Sequence, residues 1–191
     1  MVSTQPIALK EWAVAVEALR SGRQILIMRK GGIREETKNF QVESGSFYLF
    51  PTYEHQKKQW IKPDDQPELD KTLENWSVRD TEVTIRCYAE LAEDILIDNQ
   101  EQLDKLSAFH LWTDSFAEER LKWKRTQPLH VMLLRVYELA EPARLPLLAD
   151  YNGCKSWIQL NSSVLDGMER TAVLNDDDFQ EATSKIKSAL G

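Results

Sequence analysis

Short apolar runs separated by polar turn residues recur along the chain and predict a mixture of strands and helices. Strands are predicted where apolar residues alternate with polar ones or form a run between turn residues. The predicted strands are residues 24–29, 46–50, 82–91, 107–112, 129–139 and 155–160. Pro51 is expected to end the second of them. The alternation is cleanest in 82–91, where one face carries Val83, Ile85, Cys87, Ala89 and Leu91.

Apolar residues at helical spacing predict helices over 8–20, 53–60, 67–78, 98–106, 115–124 and from 176 onward. A strand is the alternative for 8–20, because Trp12, Val14 and Val16 also alternate. Gly22 is expected to end the first helix, Ser115 to cap 115–124, and Asp176 to Asp178 to cap the last. Because strands and helices follow no regular βα alternation, the pattern predicts an α+β fold. Its strands should be mostly antiparallel, with interspersed helices and a C-terminal amphipathic helix.

Composition narrows the class of protein. The chain has 191 residues, of which 42% are hydrophobic and 29% charged, as in soluble globular proteins. One domain over 1–191 is predicted, with a sub-domain seam at 63–80, between a basic half (8–62) and a second half (81–191), as the alternative. No apolar run approaches the ~18 residues of a membrane span, and no signal peptide is visible. Two widely separated cysteines and three histidines without paired spacing predict a cytoplasmic protein with no metal site.

The net charge of −7 conceals segments of opposite sign. Residues 10–62 carry ten Lys and Arg against six acids, whereas residues 63–109 carry thirteen acids against four bases. Chance variation of a solvated surface is one explanation, and a basic binding face beside an acidic surface is the other. The net charge therefore argues against a broadly basic nucleic-acid-binding surface and leaves room for a local anion site in the N-terminal half.

The first candidate site is the turn after the predicted strand 24–29. There Arg29 and Lys30 precede Gly31 and Gly32, and such a turn can direct backbone N–H groups and cationic side chains at a phosphate. A plain strand-ending turn is the alternative. Neither the Walker motif nor the dinucleotide-binding fingerprint occurs, so no cofactor is predicted.

The second candidate is His55, which follows Glu54 in the segment after Pro51. Histidine transfers protons near neutral pH and needs a partner from elsewhere in the chain, for which Glu17 is the candidate. Together they would form a catalytic pair, with Lys30 as the anion clamp. The alternative is that His55 caps or bridges neighbouring segments.

The third candidate mixes aromatic and basic residues over 110–125. Tryptophan can stack on an unpaired base while arginine and lysine contact phosphate, which is how single-stranded nucleic acid is bound. Burial of the aromatic side chains in a core is the alternative. The candidate residues are His110, Trp112, Arg120, Trp123 and Lys124.

Five short blocks together resemble a bacterial family known only as domain of unknown function 1802. They are KEWAVAVEAL (10–19), RKGGI (29–33), LFPTYEHQ (49–56), HLWTDSFAEERLKWK (110–124) and LLRVYEL (133–139). Some members look to be associated with restriction-endonuclease-like domains, so the resemblance implies a place in DNA restriction and modification. It supplies no catalytic residues.

These observations favour an accessory protein that binds DNA or RNA and has a restriction-endonuclease-like protein as its partner. The alternative is an enzyme acting on a phosphate-bearing small molecule or a nucleotide. The sequence leaves open whether the protein is catalytic, and its oligomeric state.

Overall fold

The computed structural model describes residues 5–30, 40–123 and 127–191, and within them the strands form one seven-stranded sheet. The strands are β1 (Ile7–Trp12), β2 (Leu26–Arg29), β3 (Ser46–Thr52), β4 (Glu82–Ile97), β5 (Leu129–Pro146), β6 (Trp157–Gln159) and β7 (Arg170–Ala172). They are ordered β2-β5-β4-β3-β1-β6, and β7 pairs with β5. Only the β1–β3 pair, among the described strands, is parallel. The predicted α+β class with mostly antiparallel strands is confirmed.

The sheet curls so that its two ends approach each other. Arg29 ends β2 at one end of the strand order, and Ser156 directly precedes β6 at the other. The Arg29 guanidinium donates to the Ser156 hydroxyl and, over 3.1 Å, to the main-chain oxygen of Lys10 in β1. This contact joins three strands at one rim of the curled sheet.

Five helices of the described chain pack on this sheet. They are α1 (Ala13–Arg20), α2 (Gln66–Glu74), α3 (Gln100–Lys105), α4 (Asp114–Lys122) and α5 (Asp176–Leu190). The larger hydrophobic cluster includes the apolar residues of α1 and the middle of β5. A second cluster, around Ile85 and Leu145, lies under the segment that follows β5. Of the described helices, none is long and apolar enough to cross a membrane. Both clusters and the sheet contain residues from either side of 63–80.

The helix predicted over 8–20 begins only at Ala13, because residues 7–12 form β1. The strand alternative rested on the alternation of Trp12, Val14 and Val16, and the last two of these lie in α1. Hydrogen bonding to β3 on one side and to β6 on the other outweighs the helical spacing of the apolar residues. Ala8 and Leu9 are both fully buried, in the two different clusters, so β1 is covered on both faces.

Prolines are more compatible with strands here than the sequence predicted. Pro51 does not end β3, because β4 pairs only with residues 46–48 and Pro51 pairs on one side, opposite Glu11. Pro142 and Pro146 lie within β5, which extends to Pro146. β4 is also longer than predicted, and a register shift between Ile85 and Cys87 places these two residues in different clusters.

Three local predictions are wrong. Residues 53–60 form only a 3₁₀ turn at Lys58–Trp60. Residues 107–112 form a 3₁₀ turn at Ser107–Phe109 and a single bridge from Trp112 to Ile61 rather than a strand. The N-caps of α4 and α5 are Thr113, two residues before the predicted Ser115, and Asn175, one residue before Asp176, and the three acids occupy the first turn of α5.

Gly22 ends α1 as predicted, in the left-handed conformation with φ of +71°. A Cβ atom at this position would lie 2.8 Å from a methyl group of Leu174. Both the backbone angle and the close packing therefore require glycine, which sets the direction in which the chain enters β2.

Candidate nucleotide-binding cavity

A cavity of about 1000 Å³ opens where β1 gives way to α1. Its walls come from the start of α1, the ends of β2 and β3, the loop 151–156 and the region after α2. It brings together side chains that are far apart in the sequence. Five of the residues singled out in the sequence contribute to its lining, namely Glu17, Arg29, Lys30, His55 and Arg120.

One end of the cavity carries two arginines, Arg29 and Arg120. Arg29 is held by the Lys10 carbonyl and by Ser156, and its guanidinium also lies 5.5 Å from the centre of the Phe40 ring. Arg120, in the last turn of α4, lies over the Phe116 ring at 5.1 Å. Within the described parts of the chain, no carboxylate lies at ion-pair distance from the Arg120 guanidinium.

The charges of these two arginines act on each other. Burial lowers the pKa of Arg120, the positive charge of Arg29 lowers it further, and the negative charge of Glu11 opposes the change. Two guanidiniums and one carboxylate at ion-pair distance from Arg29 therefore line this part of the wall. The excess positive charge in a concave surface favours an anionic ligand.

Glu11 is the carboxylate between β1 and α1, and only 5% of its surface is exposed. One of its oxygens, Oε1, accepts the main-chain N–H of Trp12 at 2.7 Å. The other, Oε2, lies 3.5 Å from Nη1 of Arg29. The positive end of the α1 dipole and the Arg29 guanidinium stabilise the buried negative charge.

Lys10 holds the loop 151–156 against the cavity. Its ammonium donates to the carbonyls of Tyr151, at 2.6 Å, and Gly153, at 3.0 Å. Burial lowers the pKa of Lys10, and nearby Cys154 and Glu54 partly oppose this. Lys10 therefore supplies both a positive charge to the cavity and a clamp on its rim.

The other end of the cavity is aromatic. Tyr53 stacks on Trp76 with ring centres 5.6 Å apart and planes inclined by 12°. Burial raises the pKa of Tyr53, and the negative charge of Glu17 adds to the effect. Gln56 ties this end to two helices, because it accepts the N–H of Val14 at 2.7 Å and donates to Thr72 at 3.2 Å.

The sequence model of a known family matches residues 8–185, which is most of the chain. The chain belongs to the family described as domain of unknown function (DUF1802). This confirms the resemblance that the sequence blocks indicated. No curated protein matches the chain.

Solved structures similar to the DUF1802 chain include the crystal structure of ASCH from Zymomonas mobilis. It is 11% identical, covers 95% of this chain and 96% of its own, and has a TM-score of 0.43. A mutant form of the same protein is 10% identical over 96% of this chain and 98% of its own, with a TM-score of 0.45. The activity of the DUF1802 chain has to be inferred from its own cavity.

The predicted catalytic pair lines the cavity without being in direct contact. Glu17 accepts two hydrogen bonds from the Arg20 guanidinium, at 2.8 and 2.9 Å. His55 is exposed at the rim, where the loop after β3 begins. Among the described hydrogen bonds none joins the two, so any proton transfer between them would need a ligand or water.

Lys30 lines the cavity but has a different partner from Arg29. It is 3% exposed, and its ammonium donates to the main-chain oxygen of Leu121 near the end of α4. Burial lowers the pKa of Lys30. Its position indicates that it caps a helix end, where a positive charge is favourable. Gly31, Gly32 and Lys124 lie outside the described residues.

The aromatic–basic surface expected over 110–125 does not form as one face. His110 and Trp112 are 6% and 2% exposed, and Trp112 packs near Phe116 in the core. Burial, together with the charge of Lys62, lowers the pKa of His110 to about 4, so it is neutral at pH 7. Trp123 is 42% exposed and is not part of the cavity lining. Of the described members of this set, only Arg120 lines the cavity.

Sequence reasoning missed several residues that complete the cavity, namely Lys10, Glu11, Trp12, Tyr53 and Trp76. Lys10, Glu11 and Trp12 were predicted to lie in a helix, so their position just before a strand–helix junction was not predicted. Tyr53 adjoins the predicted His55 and could have been found by its place in the same block. In the described part of the chain, no group of three His, Cys, Asp or Glu side chains is placed to hold a metal ion.

Proposed function

We propose that this DUF1802 protein binds nucleic acid by taking one or two nucleotides of a single strand into its cavity. One observation carries the proposal. Arg29 and Arg120 line one concave wall, where Glu11, 3.5 Å from Arg29, is the buried carboxylate at ion-pair distance among the described residues. Two guanidiniums thus face one such carboxylate, and a phosphate group would supply the second counter-charge.

Arginine suits this role because its planar guanidinium can contact two phosphate oxygens at once. Ser156 and the Lys10 carbonyl hold Arg29, and the Phe116 ring supports Arg120. Both side chains are therefore oriented before a ligand arrives, which lowers the entropy cost of binding.

The aromatic rings in the cavity favour a nucleotide over a bare phosphate. Trp12 lines the cavity next to the arginines, and its ring lies 5.1 Å from the Phe116 ring that supports Arg120. Tyr53 and Trp76 line the other end. Bases stack on such rings, contributing about 1–3 kcal/mol each.

The dimensions and overall charge fit the same interpretation. Ligand cavities typically measure ~300–1000 Å³, and this one is at the upper end of that range. The net charge of −7 argues against a broad basic surface for a duplex, so we expect binding to be confined to the cavity.

Fluorescence anisotropy with labelled single-stranded DNA and RNA 12-mers tests the proposal. Arg120→Gln should weaken binding about tenfold, as expected for a lost charged hydrogen bond. Arg79→Gln is the matched control, because Arg79 is exposed and outside the cavity lining. Affinity should also fall as salt rises. Absence of binding at low salt, or equal losses in both variants, would overturn the proposal.

An enzyme acting on a phosphate-bearing small molecule or nucleotide is the second candidate. It is favoured by the presence of Glu17, Lys30 and His55 in the walls of one cavity. Product analysis with nucleoside mono- and triphosphates tests it. Turnover should fall about 100-fold in His55→Asn if this residue transfers a proton. Turnover that is absent, or unchanged in this variant and in Glu17→Gln, would exclude these roles.

A restriction-endonuclease-like partner is part of the proposal on the strength of the family resemblance alone. Co-elution of the purified DUF1802 protein with such a protein from the same organism, in size-exclusion chromatography, tests it. Separate elution at micromolar concentrations would remove this partner and leave nucleic-acid binding unaffected.

A further inference from the structure

We infer that Glu11 makes the cavity selective for bases that carry an exocyclic amino group, such as cytosine, over uracil and thymine. This inference rests on the proposed function and specifies its ligand. It assigns to Glu11 a role in specificity, whereas Arg29 and Arg120 supply affinity through phosphate.

The evidence begins with the unequal use of the two Glu11 oxygens. Oε1 accepts a short hydrogen bond from the Trp12 N–H at 2.7 Å, which orients the carboxylate at the end of β1. Oε2 lies 3.5 Å from the Arg29 guanidinium, longer than the usual 2.7–3.2 Å of an N–H···O hydrogen bond. This oxygen therefore retains capacity to accept a short hydrogen bond from a ligand.

The surroundings of Glu11 are positively charged. Nη1 of Arg29 lies 3.5 Å from Oε2, and the N-terminal end of α1 begins two residues after Glu11. An ionised carboxylate accepts hydrogen bonds and donates none. A buried acceptor of this kind stabilises an amino group and repels a carbonyl oxygen.

The position of Glu11 next to Trp12 also favours recognition of a base. Glu11 adjoins Trp12 in the sequence, and both line the same cavity. A base stacked against the Trp12 ring would present its edge to the neighbouring wall. Cytosine carries an amino donor at the place where uracil carries a carbonyl oxygen, and carboxylates in proteins accept from this amino group.

The test compares oligo-dC and oligo-dU 12-mers, whose bases have the same ring size, on the full chain. The unmodified protein should bind oligo-dC about tenfold more tightly, since a hydrogen bond to a charged group contributes roughly that factor. Glu11→Gln should reduce this ratio to about one, because its amide can present a donor as well as an acceptor. Glu74→Gln, an exposed glutamate outside the cavity lining, should keep the ratio.

The outcomes separate the two proposals. If neither oligonucleotide binds, the proposed function fails. If both bind equally to the unmodified protein, single-strand binding stands and the role of Glu11 is overturned. A ratio that persists in Glu11→Gln would also overturn it. Because the oligo-dC to oligo-dU ratio is measured first on the unmodified protein, the inference can be refuted even if the variant does not fold.

Discussion

Two groups of basic residues, the cavity arginines and two lysines near helix ends, differ in what their charges contact. The cavity arginines, Arg29 and Arg120, contact rings, one carboxylate and open space in the cavity. The lysines of the second group, Lys30 (buried) and Lys62 (half-buried), donate to main-chain carbonyls near helix ends. Arg29 and Lys30 both line the cavity but have different partners, because Arg29 ends β2 beside β1 whereas Lys30 reaches the end of α4.

The comparison teaches that residue type alone does not identify a binding residue. Arginine and lysine were equally attractive candidates in the sequence. An ammonium that already donates to carbonyls stabilises the fold, whereas a guanidinium supported by a ring retains donors for a ligand. Four variants test which of these residues stabilise the fold and which bind a ligand.

The largest effect on stability is expected for Trp112→Ala, which truncates a buried side chain. Trp112 is 2% exposed and packs near Phe116 and His110, so truncation should reduce the free energy of unfolding by about 3–5 kcal/mol. Urea unfolding followed by circular dichroism measures the change. A loss below 1 kcal/mol, with reduced oligonucleotide binding, would indicate that Trp112 belongs to a contact surface instead.

Acidification should destabilise the protein because His110 is buried in its neutral form. Its pKa is about 4 in the folded protein against about 6.5 when unfolded, because burial disfavours the charged form. The unfolded chain therefore binds a proton first, and stability should fall as pH decreases from 6.5 to 4, by about 3 kcal/mol in total. Unfolding experiments at pH 7 and pH 4.5 should show this dependence, and His110→Gln should make it smaller. Equal slopes in both proteins would contradict it.

Lys30→Met should have the next largest effect. The substitution keeps the length of the side chain but leaves the Leu121 carbonyl without its donor, which should cost about 1–3 kcal/mol of stability. Thermal unfolding measures this loss. Oligonucleotide affinity should stay within twofold for the folded fraction, and a tenfold loss of affinity would place Lys30 among the binding residues.

The smallest effect on stability is expected for Arg120→Gln. Loss of the contact with the Phe116 ring is offset by relief of repulsion from Arg29, so the free energy of unfolding should change by less than about 0.5 kcal/mol. The same thermal measurement provides the check. A loss above 2 kcal/mol would mean that Arg120, like Lys30, serves the fold.

The pattern of apolar residues correctly predicted those strands and helix ends that depend mainly on nearby residues. The alternation in 82–91 and the apolar run in 129–139 identified the two longest strands, and Gly22 marked the end of α1. The prediction failed at residues 8–12, where pairing with two strands distant in sequence outweighs helical spacing. It also failed at 107–112, where a single bridge to Ile61 replaces a ladder.

The candidate site shows the same division. The basic turn and the block around His55 identified Arg29, His55 and, with the helix 115–124, Arg120. The pairing of Glu11 with Arg29 was not predictable, because the two residues meet only when the curled sheet brings β1 next to β2. The burial of His110 and Trp112 also depends on packing that local spacing does not encode.

By itself, the sequence determined the α+β class, the family, and the concentration of positive charge in the N-terminal half, because periodicity, motif order and composition are properties of the chain. Only the tertiary structure decided which of those charges face a cavity and which are buried as helix caps. The reason is physical: a side chain's accessible partners depend on how the sheet curls and which helices cover it. Neighbours in the sequence, such as Arg29 and Lys30, thereby acquire different partners, and distant residues, such as Glu11 and Arg29, are brought together.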